Sequence, residues 1–436
     1  MADFIGFLRV AVTVPRMSMP YQNVGIVARV ATPGDTAVDD LYNKLTVAAA
    51  VFFIVLEISY LVIAGLPALD KPTVDGTHFV IGRDFLNFWM GGRSVFGDGP
   101  AAWFDFRNYN AALRDMLGSD YHEHFWSYPP HLLLFIWPLG LMPYLVAYIA
   151  WCAIGIALYL FACSSAIPRA RLSFLAVAPG VAVCGFFGQN GFYTAALLIG
   201  GLLARERRPV LAGVLFGILT VKPQLGLLLP VLLLLERRWV TIASAVVTVV
   251  GLVAATAVLF GWDVWIEFWE KVVPQQEWLT THAGGLLFAM VSSVFYGGRL
   301  MHIPEGVDWM LQGMVAVLAL AAVVWSYWKR RDPALSLGLF VTASFLVTPY
   351  ILNYDMVIFG FVVALLRERA DNTTADHWLL IAVWTLPVTM MIAVVAWVPL
   401  APIVLIAFAG RLIWRLAQND QCELDRLAGP VEPSAV

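Results

Sequence analysis

Apolar runs close to the roughly 20 residues that cross a bilayer recur along most of this chain, and arginine clusters punctuate them at regular intervals. The clusters are Arg169 and Arg171; Arg205, Arg207 and Arg208; Arg237 and Arg238; Lys329, Arg330 and Arg331; Arg367 and Arg369; Arg411 and Arg415. An even number of apolar legs separates each cluster from the next, so all of them fall on one side if the N-terminus is there too. Lys and Arg concentrate in short cytoplasmic loops, which makes that side the cytoplasm. The expected fold is therefore all-α: a polytopic transmembrane helical bundle of about 12 membrane segments, with both termini cytoplasmic. Composition agrees: 60% of the residues are hydrophobic and 13% charged, against roughly 25% charged in soluble domains. No short alternating strands of an outer-membrane barrel appear.

The pattern divides the chain into a cytoplasmic arm over residues 1–44, a membrane domain over 45–416 and a cytoplasmic tail over 417–436. The arm has three readings. Residues 4–14 are apolar but split by Arg9, and Arg16 and Arg29 follow, so a cleaved signal peptide, a true arm, and a start at Met17 or Met19 all stand open. A first span over 45–66 leads into a polar outer segment over 67–130, and a second outer segment covers 261–306. In the second, Trp262, Trp265, Ile266, Trp269 and Val273 share one helical face, and Asp263, Glu267, Glu270 and Lys271 take the other. That division predicts a helix lying at the headgroups, and an ordinary exposed loop helix, the alternative, explains three tryptophans poorly.

Three hairpins have legs shorter than a full span, yet both ends of each carry arginines. Legs 172–187 and 192–203 flank Gly188-Gln189-Asn190-Gly191, legs 209–221 and 225–235 flank Lys222-Pro223-Gln224, and legs 335–347 and 356–366 flank a tip over 348–355. Such tips stop within the membrane depth on the outer side. Non-helical backbone survives there only where it lines a protein-walled or watery cavity, so the three polar tips are expected to converge on one outward-opening cavity. The last apolar region, 378–416, is broken by Pro399 and Pro402 into two spans with a short outer turn.

Several residues in these places carry usable chemistry. Asp84, in Gly82-Arg83-Asp84-Phe85 on the outer side, admits two readings. It caps a helix or pairs with Arg83, or it accepts a proton from a substrate hydroxyl, a step worth roughly 10²–10⁴ in rate. Lys222 sits mid-hairpin, where a lysine costs roughly 2.5–3.5 kcal/mol near the bilayer interior and needs a partner; an anionic lipid phosphate is one, and snorkelling to a loop tip is the alternative. Tyr350, Asn353, Tyr354 and Asp355 offer donors and acceptors to sugar hydroxyls, although Asp355 also stands where a helix cap belongs. Gln189 and Asn190 lie between glycines that let a ligand approach the backbone closely. His282 stands alone in the second outer segment, and a surface role competes with a substrate role. Glu57 lies near the centre of the first span, as a functional carboxylate or a neutral hydrogen-bonded one. His122, His124 and His131 lack a compact metal-ligand spacing. Cys152, Cys163 and Cys184 lie in apolar runs and Cys422 in the tail, with no disulfide framework. No nucleotide-binding glycine loop, Walker motif or Ser-His-Asp order is visible, so a sugar donor would come from the lipid phase.

Arg83-Asp84-Phe85, Tyr128-Pro129-Pro130, Gly188-Gln189-Asn190, Lys222-Pro223-Gln224 and Pro349-Tyr350 with Tyr354-Asp355, in this order and on one face, together resemble glycosyltransferase family 87 over residues 45–416. That family belongs to the GT-C superfamily of membrane enzymes and includes mycobacterial phosphatidylinositol-mannoside mannosyltransferases. The resemblance implies a GT-C fold in a bacterial inner membrane. It also implies inverting transfer of a hexose, with mannose the family's best-known donor sugar, from a polyprenyl phosphate to a lipid or glycan acceptor on the outer face, with no cofactor. Under it, Asp84 is the general base. Lys222, with Arg83, holds the leaving phosphate, and Gln224 belongs to the same tip. His282 matches a histidine of the later outer loop in some relatives. A transporter or flippase of a lipid-linked or small polar substrate is the rival reading, and an envelope scaffold protein a third. Inverted repeats and a site reachable from both sides would mark the transporter, whereas here the polar tips open one way.

Overall fold

The structure is a computed structural model that describes residues 33–64, 72–76, 78–97, 99–282, 284–329 and 331–428. The expectations for residues 1–32, for Arg330, for the Cys422 side chain and for the last eight residues lie outside what is described. The chain divides into two compact units, Met1–Val47 and Ala48–Val436. Of the first, only the start of helix α1 (Pro33–Ala64) is described.

Every named element is helical, and strand pairing among the described residues is confined to the isolated bridges Val74–Val80 and Val291–Leu352. Among the described residues six helices are long and apolar enough to cross a membrane: Ala37–Tyr60 within α1, α4 (Tyr144–Cys163), α9 (Trp239–Phe260), α11 (Glu305–Trp328), Thr374–Ala396 and Leu400–Gln418. The last two lie in α14 (Thr374–Ala393), with the turn that follows it, and in α15 (Leu400–Ala428). About twelve segments were expected; six pass on their own, and the remaining apolar helices are shorter. These are Pro130–Leu141, α5 (Pro179–Phe187), α6 (Gly191–Ala204), α7 (Pro209–Ile218), α8 (Leu229–Leu235), α12 (Pro333–Val347) and α13 (Val357–Leu366). At 1.5 Å per residue the 14 residues of α6 reach about 21 Å, against ~30 Å for a hydrocarbon core.

The leg expected over 172–187 is not one helix. Arg169–Ala176 and Pro179–Phe187 meet at a 51° bend. Pro179 explains it: a proline forces the residue before it out of helical geometry, and Ala178 is extended at φ −59°, ψ 140°. Lys222 breaks the second hairpin in the same way before Pro223, at φ −141°, ψ 74°. The final region does turn between α14 and α15, at Trp397 with φ 58°.

Ion pairs join the basic turns at one end of the bundle. Arg171 pairs with Glu368, Arg369 with Asp332 at 2.7 Å, Arg411 with Asp376 at 2.8 Å and Arg415 with Asp371 at 2.7 Å. A second group ties Arg205 to Glu236 at 2.9 Å and Arg238 to Glu206 at 3.1 Å. The basic clusters that mark the short loops in the sequence thus also form ion-paired contacts between turns. Glu57 is exposed on α1 rather than turned into the bundle.

Between the first two spans, α2 (Phe85–Ser94) and α3 (Phe106–Leu117) contribute to one aromatic-rich core. Phe88 lies 5.1 Å from the Tyr128 ring and 4.9 Å from Trp151. The amphipathic helix of the second segment has three faces rather than two. Trp262, Ile266 and Trp269 are exposed, but Trp265 is buried and stacks on His131 at 5.9 Å. Trp265 borders the line of Val264 and Val272, which also face the core, so it belongs with them. A π-turn over Phe268–Val272 leads into α10 (Val273–His282).

Candidate active site

The three short hairpins bring their tips to one place. Gly188 follows α5 in left-handed geometry at φ 61°, a conformation glycine adopts without strain. A Cβ there would lie 2.9 Å from the Gly82 carbonyl and would strike Phe85, so only glycine lets the Gly82–Phe85 turn sit against this tip. Gly191 plays the same part towards the Tyr354 carbonyl of the third tip. Trp151 Nε1 donates to the Gly188 carbonyl at 3.0 Å, and Tyr148 to that of Gly185 at 2.7 Å, which holds the tip from its other side. The second and third tips meet where the Thr348 hydroxyl donates to the Gln224 carbonyl at 3.3 Å.

This packing places Asp84 beside Gln189. Asp84 stands at the N-cap of α2, yet its side chain makes no capping bond; its Oδ2 accepts from Gln189 Nε2 at 2.8 Å. Oδ1 accepts nothing among the described residues. The amide orientation of Gln189 follows from its other contact: the Tyr128 hydroxyl donates to Oε1 at 2.7 Å, leaving Nε2 for the carboxylate. Asp84 is half-buried, closely surrounded yet keeping accessible surface. Burial pushes its carboxyl above the usual range, opposed by the Gln189 bond and by the charges of Lys222 and Arg83.

Lys222 does not snorkel. It is 4% exposed, with Nζ 2.6 Å from Asp355 Oδ1 and 3.3 Å from Asn190 Oδ1, and it lies over the Tyr354 ring at 4.7 Å. Asp355 does both jobs that its position allows, since its Oδ2 also accepts from the Leu352 N–H at 3.4 Å. Asn190 is buried with Nδ2 unpartnered among the described residues, a donor still to be used. Asp84, Gln189, Asn190, Lys222, Tyr354 and Asp355 therefore form one cluster. Tyr350 is half-buried at its edge, its ring 6.2 Å from Tyr296.

Four sequence candidates go elsewhere. Arg83 lays its guanidinium over the Phe79 and Phe186 rings, at 4.5 and 4.9 Å. Asn353 turns away, donating to the Pro387 carbonyl at 3.0 Å. Gln224 contributes its backbone. His282 is exposed at the end of α10 and stacks on Trp278 at 5.3 Å. Tyr128 is the residue that sequence reasoning passed over. It lay within a quoted motif, where the stiff Tyr-Pro-Pro turn was a signal of a side chain held in fixed aim.

His124 is buried and packed against Tyr121, and burial draws its imidazole down to about 4. Among the described residues no group of three or more His, Cys, Asp or Glu could hold a metal ion. Chemically, the cluster offers a carboxylate held by a neutral amide, beside a buried ammonium already paired with a second carboxylate.

The family model for glycosyltransferase family 87 matches residues 126–349, just over half of the chain. The match contains Tyr128, Gln189, Asn190 and Lys222, while Asp84 and Asp355 lie outside it. No curated protein and no solved structure matches the chain.

Proposed function

This chain belongs to glycosyltransferase family 87 and is a multi-pass membrane glycosyltransferase, and we propose that it transfers a hexose, mannose foremost, from a polyprenyl phosphate to a lipid or glycan acceptor. The observation that carries the reading is Asp84 standing in one hydrogen-bonded cluster with Lys222 through Gln189 and Asn190. Two carboxylates compete for the role of base. Asp355 is tied to an ammonium at 2.6 Å, which stabilises its ionised form and weakens it as a base. Asp84 is held only by a neutral amide and keeps Oδ1 free, so it is the better proton acceptor.

In the proposed step, the acceptor hydroxyl gives its proton to Asp84 while its oxygen bonds to the anomeric carbon. The bond from that carbon to the phosphate oxygen breaks on the opposite face, with inversion, and polyprenyl phosphate departs with the electron pair. Lys222 stabilises the charge that grows on the phosphate. At rest it serves Asp355, so a phosphate oxygen must share or displace that contact, and the Asn190 amide donor stands ready beside it. The polar tips orient the sugar, and the prenyl tail lies among the apolar legs.

The same reading sets the tips on the outer face of a bacterial inner membrane, within the membrane depth, and both termini inside. Counting the short legs as membrane segments brings the number to about a dozen. The ion-paired arginine turns at the other end of the hairpins support this arrangement. Asp84→Asn preserves shape and removes the base. It is expected to lower transfer by roughly 10²–10⁴ in a membrane assay with a panel of polyprenyl-phosphate sugars, with insertion unchanged. Turnover equal to the wild type would sink the assignment.

A further inference from the structure

Beside α10, the two outer segments line an open cleft of about 500 Å³, within the roughly 300–1,000 Å³ of small-ligand sites. We propose that this cleft holds a neutral carbohydrate chain, the sugar portion of the acceptor, stacked on its aromatic faces. That the occupant is the acceptor rests on the transfer reading above; the binding itself does not.

Three rings line the cleft: Phe106, Phe125 and Trp278. Trp278 is 51% exposed, so its indole is presented rather than packed. It is nevertheless held from behind, lying 5.3 Å from His282 at 3° between planes. Phe106 and Phe125 likewise back each other at 4.9 Å and 26°. Rings held in advance lose little freedom when a ligand lands, and the C–H face of a sugar matches a flat ring.

The charges select against ions. Asp105 and Glu123 face the cleft with Arg107 and Lys271, two acids against two bases. Asp105 is paired with Lys271 at 3.1 Å, and Glu123 with Arg114 at 3.1 Å. Two acids against two bases, with Asp105, Lys271 and Glu123 already paired, create little net field for an anion or a cation. They still present donors and acceptors, which hydroxyl groups use and an acyl chain does not, because covering them without hydrogen bonds is costly.

The cleft is mechanically joined to the candidate site. Asn87, one turn after Asp84 on α2, donates to the Phe125 carbonyl at 3.3 Å. On α10, Gln275 and Trp278 face the cleft, while the carbonyl of the next residue, Leu279, accepts from Tyr296 at 3.1 Å, and Tyr296 packs on Tyr350. A carbohydrate in the cleft would thus rest on both elements that lead to the cluster.

The test uses the full chain in detergent and α-linked mannose, glucose and galactose oligosaccharides of two to six units, with binding followed by saturation-transfer NMR and calorimetry. At least one oligosaccharide is expected to bind wild type and Asp84→Asn equally. Trp278→Ala and Phe106→Ala should each weaken it about tenfold, with Trp278→Phe keeping most of the affinity. In the transfer assay, Trp278→Ala should raise the acceptor KM about tenfold and leave the donor KM unchanged. Binding without any transfer by wild type would support the cleft and count against the transfer reading alone. Failure of the whole panel to bind, equal binding by both alanine variants, or displacement of the sugar by glycerol phosphate would overturn the proposal.

Discussion

Lys222 and Asp355 are each nearly inaccessible, and each is the reason the other can be there. Removing one partner of such a pair leaves an uncompensated buried charge, typically a loss of about 3–5 kcal/mol. Lys222→Met is therefore expected to destabilise the protein by about that much in a detergent unfolding assay. Adding Asp355→Leu should recover much of the loss without recovering transfer, which separates the structural cost from the proposed contact with phosphate. Recovery of transfer in the double variant would exclude Lys222 from the phosphate site. Asp84 makes a different prediction. Burial raises its pKa, and a base must be ionised to work, so transfer should fall as pH drops through that raised value. The acid limb of kcat/KM is expected above the roughly 4 of an unperturbed aspartate. The Gln189 hydrogen bond lowers the pKa, so Gln189→Leu should move the limb to higher pH while Asn190→Leu moves it less. An unmoved limb in Gln189→Leu would mean that another group titrates.

At the scale of elements, the site depends on how closely backbone segments approach. Gly188→Ala forces a Cβ into left-handed geometry, costing roughly 1–2 kcal/mol, and pushes it against Phe85. The neighbour that must yield begins the helix next to Asp84. A shift of about 1 Å in a reacting group can cost 10²-fold, so a loss of that order in kcat is expected, with folding retained as judged by size-exclusion profile. The hairpins themselves were legible in the sequence as short apolar legs around polar tips. The bend before Pro179 was legible too, because proline restricts its predecessor, but the leg was read as continuous through hydropathy alone. The side of the helix on which Trp265 lies was not legible, since Trp262 and Trp269 on the expected face are tryptophans as well. Its burial beside Val264 and Val272, with its ring against His131, distinguishes it.

For the molecule as a whole, sidedness is the testable property. With Cys422 replaced, Asp120→Cys should react with a membrane-impermeant maleimide on intact cells. Arg207→Cys should react only after permeabilisation; both positions are exposed. The reverse pattern would invert the proposed topology. The sequence by itself determined the class of molecule and the order of its parts, because hydropathy and arginine placement are properties of single segments in a bilayer. It also nominated Asp84, Gln189, Asn190, Lys222 and Asp355, since polar residues among apolar legs need partners. Who partners whom was decided by tertiary structure alone. Lys222 and Asp355 are 133 residues apart and Gln189 and Asp84 are 105 apart. Nothing local distinguishes Asn353, which turns towards α14, from Asp355, which reaches the lysine. That choice is made by which backbones the glycines allow to touch, and by the requirement that each buried charge meet its opposite.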